Sequence, residues 1–121
     1  MNSLLLIAAI LAILLGLAHS FLGERLIFSS WRKTPPAIPR AHRQIIWASW
    51  HVLTLLGWAM AAILLWAAQN FDQIEKLRPV LLALVIILGL SGLMVLYARR
   101  GRHPGWIVFM IIAGLIGWTL H

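Results

Sequence analysis

The sequence predicts an all-α polytopic membrane protein, four transmembrane helices in an up-down bundle with both termini extracytoplasmic. Three observations carry that expectation. Hydrophobic residues make up 62% of the 121 positions and mean hydropathy is +0.92, far outside the composition of a soluble domain. Four apolar runs, at 3–24, 45–68, 79–98 and 104–120, match the roughly 20 helical residues that cross a hydrocarbon core about 30 Å thick. Eight of the ten Lys and Arg residues fall in two short loops: Arg25, Arg32, Lys33, Arg40 and Arg43 in one, Arg99, Arg100 and Arg102 in the other. Cytoplasmic loops retain positive charge, so both loops are expected inside. These runs occupy most of residues 1–121, which read as a single membrane domain.

The first run, Ser3 to Leu22, has the small residues Ala18 and Ser20 near its end, as a signal-peptide cleavage site would. It lacks a basic segment before it, however, and is longer than an apolar signal core of roughly 7–15 residues. It is expected to be a retained span, helical through Gly23 and Glu24 toward Phe28. Three prolines at 35, 36 and 39 make Ser29 to Pro39 an expected extended connector within the basic loop 29–43. The second run ends at Asn70-Phe71-Asp72-Gln73, and Pro79 suits the first turn of the third. Gly101 suits the left-handed position that closes the third helix, and Pro104 the first turn of the fourth.

Helices in lipid associate through close packing of small residues. Gly16 and Gly23 in the first run, Gly89 and Gly92 in the third, and Ala113, Gly114 and Gly117 in the fourth are expected inside the bundle. Trp31, Trp47, Trp50 and Trp106 with Tyr97 form one aromatic belt, and Trp66 and Trp118 the other. Trp58 stands apart near mid-membrane.

Polar residues gather at the basic end. His19 and His51 lie about 6 and 9 Å inside the boundary, with Glu24 near and His103 in the second loop. Gln44, Trp47, His51, Thr54 and Trp58 share one helical stripe that is expected to face inward. Ser20, Gln44 and Thr54 are candidates for polar helix–helix contacts. His19, Glu24, His51 and His103 are candidate ligands for a divalent metal such as Zn²⁺, Fe²⁺ or Mn²⁺. His19 and His51, with Trp58 against the ring, are candidate cofactor-binding residues for haem or another tetrapyrrole. His42 and His121 carry no site argument. Ser20 lies beside His19, but neighbours on one helix point about 100° apart, and no nucleophile-elbow turn is present.

In size and span count the chain resembles the small multidrug resistance transporters. That resemblance would imply a glutamate within the first helix, and Leu4 to Leu17 contains no acid. The expected function is therefore a non-enzymatic accessory or structural subunit of a larger membrane complex or homo-oligomer, in a bacterial inner membrane. The alternatives are the metal- or tetrapyrrole-binding protein just described and a small transporter or lipid-handling protein. Expected partners are other membrane subunits or a second copy, and anionic lipid headgroups at Arg25, Arg32, Lys33, Arg40, Arg43, Arg99, Arg100 and Arg102. The net charge of +7 sits beside apolar spans, which speaks against nucleic acid. Without cysteine, thiolate metal sites and disulfides are excluded.

Overall fold

The computed structural model describes residues 1–121 and is entirely helical. Helix α1 runs Ser3–Lys33, α2 Arg40–Gln69, α3 Ile74–Arg99 and α4 Gly105–Trp118. The first three are long and apolar enough to span a membrane. Helix α4 is apolar but has only 14 residues, about 21 Å at the α-helical rise. A final turn through Leu120 extends it slightly, with Leu120 N–H bonding the Gly117 carbonyl at 3.2 Å.

The helices form two antiparallel hairpins, α1 with α2 and α3 with α4, joined mainly where α1 meets α4. Small residues set the close approach. Alanines 8, 9 and 12 of α1 face Ala61, Leu64, Ala67 and Ala68 of α2, and Ile112, Ala113 and Ile116 of α4 close the same core. That core lies toward the end opposite the basic loops, where Asn2 N–H bonds the Ala68 carbonyl at 2.8 Å. At this end Arg78 also donates to the Leu120 carbonyl at 2.9 Å, tying α3 to the end of α4. The basic loops therefore share the other end, where α1 and α2 meet as a pair.

Four local expectations are corrected. Ser29 to Lys33 is helical, so the extended connector shrinks to Thr34–Pro39. Proline restricts the residue before it, and that restriction stops at Thr34. Pro79 lies inside α3, not in its first turn, because the helix begins at Ile74 after a 3-10 turn over Phe71–Gln73. One hydrogen bond, to the Glu75 carbonyl, is lost there, near an exposed helix end. Pro104 caps α4 from just outside it.

The fourth correction concerns the end of α3. Arg100, not Gly101, takes the first left-handed position, at φ 48°, and Gly101 follows at φ 75°. Arg100 N–H bonds the Tyr97 carbonyl at 3.2 Å and Gly101 N–H the Leu96 carbonyl at 3.0 Å, the paired bonds of a Schellman motif. An L-residue in this conformation costs about 1–2 kcal/mol. Arg100→Gly should therefore raise thermal stability in neutral detergent by about 1 kcal/mol. Unchanged or lower stability would show that the arginine side chain contributes as much as the strain removes.

Helix α1 changes its winding at Gly23–Phe28, which forms a π-helical segment. Ser29 N–H reaches back five residues to the Glu24 carbonyl. The wider turn brings Ser20, Glu24, Phe28 and Arg32, each four apart, onto the side facing α2. Single π turns of this kind frequently accompany functional sites.

Candidate functional site: a polar seam between α1 and α2

The seam is built on two close approaches. Gly16 lies under Trp58, where an added Cβ would sit 2.6 Å from the indole nitrogen. Gly23 lies under Trp50, where an added Cβ would sit 2.6 Å from Cε2. Each indole then finds a carbonyl of α1. Trp50 Nε1 donates to His19 O at 2.9 Å, and Trp58 Nε1 to Ile13 O at 3.3 Å. Glycine at these two positions lets tryptophan lie flat against the backbone and hydrogen-bond across the helix pair.

Between the two tryptophans runs a chain of side-chain contacts. Ser20 Oγ lies 2.9 Å from Thr54 Oγ1 and 2.9 Å from His51 Nδ1. His51 Nε2 faces Glu24 Oε2 at 3.5 Å, too long for a strong hydrogen bond. The same carboxylate oxygen accepts from Trp47 Nε1 at 3.0 Å, and Oε1 pairs with Arg32 Nη1 at 2.6 Å. Thr54 is buried at 4% exposure, whereas Arg32 and Glu24 reach solvent. The chain thus leads from the basic loop into the buried interior of the hairpin.

Aromatic packing holds the histidines. His19 stacks on Trp50 with ring centroids 4.2 Å apart and planes 6° from parallel. Trp47 meets His51 edge-on at 4.9 Å, and buried Phe28 lies 5.7 Å from Trp50 and 6.2 Å from His51. His19 Nε2 and His51 Nε2 are both buried without a hydrogen-bond partner.

The expected candidates therefore divide. Ser20, Thr54, His51 and Glu24 come together. His19 shares their level but packs against Trp50. His103 accepts from the Gly105 amide at 3.1 Å through Nδ1, so it caps the start of α4. No three His, Asp or Glu side chains converge as a metal-binding group. Gln44 is exposed and forms no side-chain hydrogen bond to α1. Trp58, a candidate wall for a cofactor, is occupied in packing on Gly16.

Two participants were not singled out by the sequence. Trp50 reads as an interfacial belt residue but bridges to α1, as Trp47 of the inward stripe also does. Arg32 pairs with Glu24 only because helix continues through Lys33. The signal available for Trp50 was its place beside that stripe: 47, 50, 51 and 54 share one face.

Ser20, His51 and Glu24 supply the side-chain types of a nucleophile, base and acid. Acyl transfer also needs donors aimed at the developing oxyanion. The backbone amides around Ser20 are committed to helical hydrogen bonds, so the geometry lacks that part. As it stands, the chain orients side chains and joins two helices.

Comparison with protein-family profiles, curated proteins and solved structures finds no match to this chain.

Proposed function

We propose that this protein is a small non-enzymatic subunit of a bacterial inner-membrane assembly, packed against other membrane proteins or further copies of itself. Its four helices would cross the bilayer with both basic loops inside and residues 1 and 121 outside, following the charge asymmetry. The short α4 would cross with local thinning or with its polar end residues reaching the interface.

One observation carries the reading. Gly57, Gly89 and Gly114, on three different helices, would meet nothing within 4 Å if given a Cβ. Glycine inside a helix costs about 1 kcal/mol relative to alanine. At Gly16 and Gly23 a tryptophan fills the space; at these three positions the monomer offers no return. Small residues of this kind let a neighbouring helix approach closely.

Native mass spectrometry after extraction in mild detergent tests this. Assembly with copies or other subunits is expected, and Gly89→Val with Gly114→Val should dissociate it while leaving monomer stability unchanged. Migration as a lone monomer under all mild conditions would defeat the reading.

A second reading, a tetrapyrrole or metal held at the seam, draws support from the buried and unpartnered Nε2 of His19. An absorption spectrum and elemental analysis of the purified protein decide it. Absence of both a Soret band and stoichiometric metal would remove it.

A further inference from the structure

We propose that the tip between α3 and α4 is a specific site for one anionic phospholipid, its phosphate held by Arg100 and an acyl chain lying on α3. The inference rests on the membrane-spanning reading above, and adds a defined ligand to it.

Charge distribution comes first. The basic end holds eight of the ten cations against Glu24 alone, so the whole net charge of +7 resides there. Lys76 and Arg78 at the other end are balanced by Asp72 and Glu75. Glu24 is already engaged by Arg32. Arg99, Arg100 and Arg102 form no ion pair within the protein, so counter-charge must come from outside it.

Geometry then singles out Arg100. A groove of about 600 Å³ at the tip is lined by Leu96, Tyr97, Ala98, Arg100 and Gly101. Arg100 reaches this groove from a left-handed backbone that glycine would adopt without strain. Strain of this kind persists where surrounding structure over-determines it, and it gathers at ligand clamps. The tip is braced for such a role: Arg102 N–H bonds the Arg99 carbonyl at 3.0 Å, and Trp106 Nε1 approaches the Gly101 carbonyl at 3.4 Å. Guanidinium presents two parallel donors to phosphate oxygens, a match that a point charge does not make.

The apolar half of the ligand follows from α3. Leu90, Leu93, Met94 and Tyr97 recur at helical spacing and are 57%, 52%, 72% and 88% exposed. This row leads directly into the groove. A free phosphate would use Arg100 and leave the row bare, whereas a phospholipid uses both.

The test uses the full chain reconstituted in phosphatidylcholine vesicles with or without phosphatidylglycerol, with retained lipid counted by native mass spectrometry. Arg100→Gly suits this purpose because it removes the guanidinium while relaxing the backbone. Arg25→Gln removes a charge from the same end of the bundle outside the groove. The unaltered protein should retain phosphatidylglycerol over phosphatidylcholine. Arg100→Gly should lower that retention by about tenfold, the scale of one charge-assisted contact, with Arg25→Gln close to the unaltered protein. Equal losses in both variants would show a diffuse field and overturn the site, as would equal retention of the two lipids. Displacement of the lipid by inorganic phosphate would also overturn it, since a free anion would then suffice. Failure of the protein to float with any vesicle would instead defeat the membrane-spanning reading itself.

Discussion

Gly23→Ala is expected to destabilise the protein by about 1–3 kcal/mol, the usual range for overpacking a filled site. The new methyl would lie 2.6 Å from Trp50 Cε2 and 3.0 Å from Cδ1. Trp50 has little freedom to retreat. Its indole donates to the His19 carbonyl, its face stacks on His19, and its edge meets Phe28. Displacing it would break all three contacts and unseat the π-helical turn that begins at Gly23. Gly57→Ala is the matched comparison, because nothing lies within 4 Å of its added Cβ. There alanine should be neutral or gain up to about 1 kcal/mol from helix propensity in the dissociated monomer. Thermal unfolding in detergent, followed by tryptophan fluorescence, measures both. If the two variants melt alike, the contact between Trp50 and Gly23 does not govern the hairpin. A double variant adding Trp50→Leu should recover part of the Gly23→Ala loss, since the clash then has no partner.

Helical class, the approximate runs and the level shared by His19 and His51 were legible in the sequence, because apolar length and charge placement act through single-residue properties. Gly16 and Gly23 were identifiable as close-packing positions, but Gly89 and Gly114 looked the same and contact nothing. Small size permits an approach without naming the partner. The Arg32–Glu24 pair was hidden by a different cause. Helix through Lys33 follows a π turn at Gly23–Phe28, and no residue pattern announces an extra residue in a turn. That shift is what moves Phe28 and Arg32 onto the seam. Trp50 was obscured by ambiguity of chemistry, since an indole at a boundary serves a lipid interface or an interhelical bond equally well. The left-handed Arg100 defied propensity outright, because glycine stands at the next position and satisfies the local rule.

Ser20→Ala should weaken the hairpin by about 0.5–2 kcal/mol, since it strands two partners at once. The direction of the hydrogen bonds explains why Ser20 is the hub. A carboxylate oxygen 3.5 Å from His51 Nε2 favours a proton on that nitrogen. Nδ1 is then an acceptor, and Ser20 O–H donates to it. With its proton so used, Ser20 Oγ accepts from the Thr54 hydroxyl. Alanine at 20 removes both bonds and leaves an imidazole acceptor and a buried hydroxyl without partners. Thr54→Val removes only the donor at the buried end of the chain, so Ser20 keeps its bond to His51 and the loss should be smaller. Introduced into the Ser20→Ala protein, Thr54→Val should cost less still or stabilise, because the hydroxyl it deletes is already unsatisfied. Nitrogen-15 chemical shifts of His51 supply a readout that packing alone would not move. They should report a protonated Nε2 and an accepting Nδ1 in the unaltered protein, and a changed Nδ1 environment after Ser20→Ala. Glu24→Gln should relax the tautomer preference while leaving the Ser20–Thr54 bond in place. Additive stabilities around the cycle, or a His51 signal indifferent to both Ser20 and Glu24, would mean that the seam is held by its tryptophans and not by this chain.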